Sequence, residues 1–340
     1  SVHVDLPISV AAAEQPAGLP TRRAVPLRGV APDGVEMATA REWLRQARRP
    51  LVLAGVEVLY QHAEGAVAEF VQRLGIPLVT TYKAKGVISE DHPLSLGGAG
   101  LSPRADAELL PLVENSDLLI LAGYDPIEMR SGWRSVWGHG MRVVEFSAVT
   151  NRHYMHQASL SFVGDVGAGL ERLGSGVDQA EYWPDGESGR ARERLKRLFD
   201  ADSEPWGARA VIDVARRRLP RDTVATVDSG AHRILLSQMW QCYEPRGLMQ
   251  SSALCTMGCA IPLAMGAQVA EPDRTIVSFS GDAGFLMVAG ELSTAAELGL
   301  KTIFVVFVDA SLALIELKQR QRQLSNTGVD FAHHDFAAMG

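Results

Sequence analysis

The chain has 340 residues, with 46% hydrophobic, 21% charged and 6% aromatic side chains and a formal net charge of −7. Those proportions suit a globular chain with a sizeable core, and the length suggests two domains. The acidic balance argues against nucleic acid and anionic membrane as partners, no apolar run approaches the ~18–20 residues of a membrane span, and three cysteines make no disulfide framework. No basic and apolar leader opens the sequence, and the odd cysteine count fits a reducing cytoplasm, the expected setting.

The chain opens on Ser1. Val2 to Pro7 read as a buried strand ending at a proline, and Asp335 to Gly340 as a helix cut short, so the chain is expected to be a piece of a longer polypeptide. Residues 8–34 are rich in Ala, Pro and Gly without a period and read as a linker. Helical spacing is predicted from Glu36 to Ala47, then a buried strand from Pro50 to Gly55. A helix from Ala63 to Leu74 closes on Gly75 as a C-terminal cap. Strands follow at 76–81, 118–123 and 142–146. Apolar strands alternating with helices predict a parallel, doubly wound α/β sheet.

Residues 175–205 interrupt the rhythm with a polar stretch and a charged helix, Arg190 to Phe199. A boundary is placed there, giving units at 35–174 and 206–340. The second unit has a helix at 207–218, strands at 223–227, 275–280 and 302–308, and helices near 231–240, 258–269 and 290–298. The fold class is therefore α/β, with two doubly wound parallel-sheet domains.

The chemistry concentrates in the second unit. Gly281-Asp282-Ala283-Gly284 and Asp309 lie at the C-terminal ends of two successive predicted strands. If those strands are neighbours, both carboxylates stand on the edge where open α/β sheets bind ligands. Two oxygen donors there suit Mg²⁺, and glycines let the backbone approach a phosphate. A loop aspartate capping a helix would explain Asp282 equally well on spacing alone. Upstream, Asp228-Ser229-Gly230-Ala231-His232 turns from a strand into a helix, a ready anion site. Cys255 and Cys259 lack the further partners of a zinc site and read as small apolar residues.

Gly281-Asp282-Ala283 with Asp309 some 27 residues on resembles the metal–diphosphate motif of thiamine-diphosphate (ThDP) enzymes. So do the flanking stretches Gly284-Phe285-Leu286-Met287, Glu291 to Ala295 and Ser311 to Ile315. The resemblance implies that Asp282, Asp309 and the Ser311 carbonyl hold Mg²⁺. It places Ser229, Gly230, Ala231, His232, Gly281, Asp282, Ala283, Gly284, Ser311 and Leu312 around the cofactor. Ala283 stands where glycine is commoner, and Val308-Asp309 where the family has Asn-Asn. Ala253 to Gly258 is similar to the Gly-x-x-Thr-Met-Gly turn of acetolactate-synthase-like members, which implies cofactor contacts for Thr256 and Met257, the methionine propping the cofactor's bend. Read from residue type alone, Met257 is core packing and His232 a surface histidine.

The first unit resembles the central domain of the same enzymes, through Leu53 to Val56, Ile76 to Thr81, Lys85-Gly86, Asp91 to Gly97 and Val163 to Val166. Gly123 to Glu128 is similar to the FAD-free catabolic members, and no Gly-x-Gly-x-x-Gly fingerprint is present, which argues against FAD. The resemblance further implies an N-terminal domain carrying the activating glutamate. No residue of this chain is assigned that catalytic role. Implied overall are ThDP and Mg²⁺ as cofactors, a 2-oxo acid such as pyruvate as substrate, acetolactate-synthase-like lyase or transferase chemistry, and a homodimer or homotetramer. A 2-oxo acid decarboxylase or another carboligase of the family is the alternative. From another class, a non-catalytic nucleotide-binding or regulatory α/β protein is the rival.

Overall fold

A computed structural model describes residues 4–14, 17–18, 29–151, 155–200, 206–251 and 254–340. In chain order the first unit comprises α1 (Ile8–Ala11), α2 (Val35–Gln46), β1 (Pro50–Ala54), α3 (Glu57–Tyr60), α4 (Glu64–Leu74), β2 (Leu78–Thr81), β3 (Ser95–Ala99), α5 (Pro103–Asn115), β4 (Leu118–Ala122), β5 (Val143–Ser147), β6 (Leu160–Val163), α6 (Val166–Gly174) and α7 (Glu187–Leu198). The second comprises α8 (Ala208–Arg218), β7 (Val224–Val227), α9 (Ala231–Met239), β8 (Leu248–Gln250), α10 (Ala260–Ala270), β9 (Ile276–Gly281), α11 (Asp282–Met287), α12 (Glu291–Glu297), β10 (Ile303–Phe307) and α13 (Ala313–Gln321).

All six strands of the first sheet pair in parallel, in the order β3-β2-β1-β4-β5-β6. Both faces are covered, and β1 shows how. Leu51 and Leu53 enter one core with Leu109 and Trp133, while Val52 and Ala54 enter the opposite core with Val67 and Leu170. A strand buried on both faces needs an unbroken apolar run, which is why its sequence does not alternate. Gly75 ends α4 at φ 76°, with its N–H on the Val71 carbonyl at 2.9 Å. That left-handed cap is the one its sequence predicts.

The second sheet runs β10-β9-β7-β8, also wholly parallel. From β7 the chain goes first to β8 on one side and then crosses to β9 on the other. The strand order therefore reverses between β7 and β9, and their C-terminal turns flank the place where such folds bind ligands. α8 and α9 pack one face through Ile212, Leu236 and Trp240, and α10 packs the other through Ile261 and Ala264.

Three local expectations change. Residues 4–7 are not a strand, and Val4 and Leu6 are exposed. No described strand pairs with them, and a lone strand has nowhere to place its ladder hydrogen bonds; residues 1–3 lie outside the described set. At the other end only a short 3-10 turn forms, Ala337–Met339. Within the stretch read as a link, Trp183 is buried in the first core with its indole N–H on the Pro50 carbonyl at 2.8 Å, and α7 buries Ala191 there too. The short strands β3, β6 and β8 and the helices α1, α3, α6, α11 and α13 were not foreseen. No described helix is long and apolar enough to cross a membrane.

The two units meet through specific contacts. Gln238 donates to the Gly98 carbonyl and Gln250 to the Tyr82 carbonyl, each at 3.0 Å, and Glu90 accepts from the Cys242 N–H at 2.8 Å. Glu90 is also ion-paired with the buried Lys85 at 2.7 Å. Gly86 sits against the Glu244 carbonyl, where an added Cβ would lie 2.0 Å from the oxygen, and its φ of +83° further restricts the position to glycine.

Candidate cofactor-binding site

The turn after β7 begins with Asp228, which is fully buried. One of its carboxylate oxygens accepts from the Ser229 N–H at 2.7 Å and the other from the Gly258 N–H at 2.8 Å. Asp228 therefore ties this turn to the Met257-Gly258 turn that precedes α10. Burial raises its carboxyl above the usual range. Asp228 was not singled out from sequence; an aspartate at a strand's C-terminal end two residues before a glycine was the available signal. Gly284 completes the joint, since a Cβ there would lie 1.8 Å from an Asp228 oxygen.

His232 lies in the first turn of α9 and is buried, its ring stacked on Phe307 with centroids 5.5 Å apart. Burial above all, with Arg233 adding repulsion, pushes its pKa down to about 4. The ring is thus neutral at pH 7, with one donor and one acceptor nitrogen. Its Nε2 is buried without a hydrogen-bond partner among the described residues. A buried nitrogen in that state is costly unless a ligand meets it.

Asp282 follows β9 and is also buried. One oxygen accepts from the Ala283 N–H at 2.8 Å; the other accepts from Asp309 at 3.1 Å and Ala310 at 2.7 Å. The parallel pairing of β9 with β10 places Phe307 beside Gly281, so the two strand ends adjoin as expected. Asp309 is exposed and accepts from the Ser311 N–H at 3.2 Å. Its carboxyl is raised, first by desolvation and also by the nearby Asp282 charge. The donor set is one of hard oxygens: two carboxylates whose mutual repulsion a divalent cation would relieve, and the Ser311 carbonyl. Among the described residues no three His, Cys, Asp or Glu side chains gather at one point, so a cation here relies on backbone and phosphate oxygens as well.

These strand ends enclose a cavity of about 390 Å³, within the range of small-molecule sites. Of the residues singled out from sequence, Ser229, Gly230, Ala231, His232, Met257, Gly281, Asp282, Ala283, Gly284, Asp309, Ser311 and Leu312 all line it. Thr256 does not; it is exposed beside the cavity. Ala253, the first residue of that turn's motif, lies outside the described residues. Phe307 also lines the cavity and went unnoticed in the sequence, where it reads as an ordinary strand residue; Ile315, the last residue of the Ser311 to Ile315 stretch, lines it too. The chain passes Met257 into α10 through Gly258 at φ 78°, where the glycine takes a left-handed turn without strain.

The corresponding crevice of the first sheet lies between β1 and β4. Glu128 fills it. Its carboxylate accepts from the Val56 N–H at 3.0 Å and the Thr81 hydroxyl at 2.6 Å. The turn N–H that would meet a phosphate thus already holds a carboxylate of the chain itself. Glu128 is 4% exposed, and burial pushes its pKa from 4.5 up to about 7. The folded chain therefore keeps this proton where the unfolded chain has released it. Its contribution to stability is full below pH 4.5, falls away as pH rises through about 7, and is flat above. We expect Glu128→Gln to remove that slope, so that its effect on unfolding free energy turns in the variant's favour by up to about 3 kcal/mol from pH 4.5 to pH 8. Urea denaturation at both pH values checks this; an equal effect at both would show that Glu128 does not hold the proton.

Comparison with known proteins gives a match within each unit. Residues 37–173 match the family described as thiamine pyrophosphate enzyme, central domain, and residues 228–340 match thiamine pyrophosphate enzyme, C-terminal TPP binding domain. Similar curated proteins include the acetolactate synthase of Bacillus subtilis (strain 168), 28% identical across 90% of this chain and 54% of the relative. The catabolic acetolactate synthase of Raoultella terrigena is 28% identical across 94% and 57%, and the acetolactate synthase large subunit of Parasynechococcus marenigrum is 31% identical across 79% and 44%. The chain spans about half the length of these relatives.

Proposed function

We propose, from the premise that this chain belongs to the thiamine pyrophosphate enzymes and is acetolactate synthase-like, that it serves a ThDP-dependent reaction of a 2-oxo acid such as pyruvate. The observation that carries this reading is the convergence of Gly230 to His232, Gly281 to Gly284, Asp309 and Ser311 on one cavity at the reversal point of the second sheet. Bound there, the cofactor supplies the carbanion chemistry at the 2-oxo carbon. That these relatives are acetolactate synthases favours carboligation over simple decarboxylation.

The chain's own residues bind and orient. The N-terminal turn of α9 offers backbone N–H groups to the diphosphate, and the unpartnered Nε2 of neutral His232 supplies a further hydrogen-bonding position. Asp282, Asp309 and the Ser311 carbonyl are the groups that would hold Mg²⁺. Asp282 also fixes the β10 turn through its hydrogen bonds to Asp309 and Ala310. Met257 is held beside the cavity by the Asp228–Gly258 hydrogen bond. The carboxylate in the first-sheet crevice supports a central unit that works without FAD. With this reading goes a division into a central unit at 35–174 and a diphosphate unit at 206–340, in a cytoplasmic homodimer or homotetramer.

The experiment is a calorimetric titration of the protein with ThDP, with and without Mg²⁺. Affinity that depends on Mg²⁺ is the expected result; no binding by the full-length protein in either condition overturns the reading. Met257→Ala should lower turnover by about tenfold or more while changing ThDP affinity little, because the side chain orients rather than anchors. A normal rate would return Met257 to ordinary packing.

A further inference from the structure

A second cleft, of about 540 Å³, opens between the two units at the end of α9 remote from His232. One wall is α7 with the edge strand β3; the other is α8 with the C-terminal end of α9. In a chain of net charge −7 it is lined by six cationic side chains and three carboxylates. Four of the six cations are paired with carboxylates inside or beside the cleft. Lys85 is matched by Glu90 and Arg217 by Asp213. Arg221 pairs with Asp91 on the rim, and Lys196 with Glu193 at 3.1 Å.

Two guanidinium groups on opposite walls are held by backbone instead. Arg192 donates to the Ser95 and Asp91 carbonyls at 3.2 and 2.8 Å; its carboxylate neighbour, Glu193, stands 3.8 Å away and is shared with Lys196. Arg216 donates to the Leu219 and Pro220 carbonyls and lies over the Trp240 ring at 4.4 Å. It has no carboxylate in ion-pair range among the described residues, and one of its guanidinium nitrogens is buried without a partner. Burial above all, with Arg221 adding repulsion, holds Arg216 below the usual guanidinium range. Neutral carbonyls orient a guanidinium without cancelling its charge, so both groups keep a positive charge that an anion can meet.

We propose that this inter-unit cleft binds an oligophosphate anion, held between Arg192 on one unit and Arg216 and Arg217 on the other. The site is separate from the cavity at Asp282 and does not depend on the function proposed for that cavity. Its occupant would bridge the units and stiffen their junction.

Calorimetric titration of the full-length protein with inorganic triphosphate, at low salt and without Mg²⁺, tests this. Saturable binding is expected, weakening severalfold when salt is raised from 50 to 200 mM, roughly as phosphate contacts weaken elsewhere. Arg192→Gln combined with Arg216→Gln should abolish it. Because Arg216 is buried, Lys196→Gln combined with Arg217→Gln provides a second variant on half-exposed or exposed side chains. It should weaken binding about tenfold with an unchanged melting temperature. No binding by the unaltered protein overturns the proposal, as does wild-type affinity in the second variant, which would place the anion elsewhere.

Discussion

Asp282→Asn should weaken Mg²⁺-dependent ThDP binding by at least about a hundredfold while leaving the protein folded. Removing the carboxylate charge removes the strongest oxygen donor of the site. The amide oxygen can still accept from Asp309 and Ala310, which the native carboxylate holds at 3.1 and 2.7 Å. Asp282→Ala should lose the same affinity and also destabilise the fold, because three backbone N–H groups lose their acceptor. Hydrogen bonds to a charged group are worth about 1.5–3 kcal/mol each. Calorimetry reads the affinity, and thermal melts with and without ligand separate it from the fold. Unchanged affinity in Asp282→Asn would sink the metal assignment and leave Asp282 as a structural tie between β9 and β10.

Gly284→Ala should cost about 2–4 kcal/mol, because the added methyl would lie 1.8 Å from a buried Asp228 oxygen. Asp228 cannot retreat without breaking its bonds to the Ser229 and Gly258 N–H groups. The substitution therefore reaches both turns that flank the cavity, and ThDP affinity should fall with stability. Gly290→Ala is the control: its φ is −59°, and nothing lies within 4 Å of an added Cβ. A melting temperature lowered by several degrees for Gly284→Ala and unchanged for Gly290→Ala is the expected pair. Equal melting temperatures would show that the Asp228 joint gives way cheaply.

Local sequence by itself determined the long strands and helices, since each carries its own signal. Pro50 to Ala54, Leu118 to Ala122 and Ile276 to Gly281 are apolar runs of strand length, and helical spacing with a glycine cap bounds α4. The parallel α/β class followed from their alternation, and most of the cavity's residues followed from motif text at strand ends. Hydrophobic burial and capping act over a few residues, so they are written locally.

Only the tertiary structure decided which strand ends meet. β9 and β10 adjoin, β7 stands at the reversal point, and Asp228 proves to be the joint between two turns 30 residues apart. No local pattern announces that Glu128 fills the β1–β4 crevice, since its partners Val56 and Thr81 are 72 and 47 residues away. Nor does one announce that Arg192 and Arg216 face each other across a cleft. β8, three residues long, has too little sequence for a periodic signal and is a strand because β7 offers it a ladder. Residues 4–7 carry a strand-like pattern and are not one, because no described strand pairs with them. Pairing, crevice filling and charge balance depend on what the fold brings from far along the chain, and that information lies in the assembled packing rather than in any window of residues.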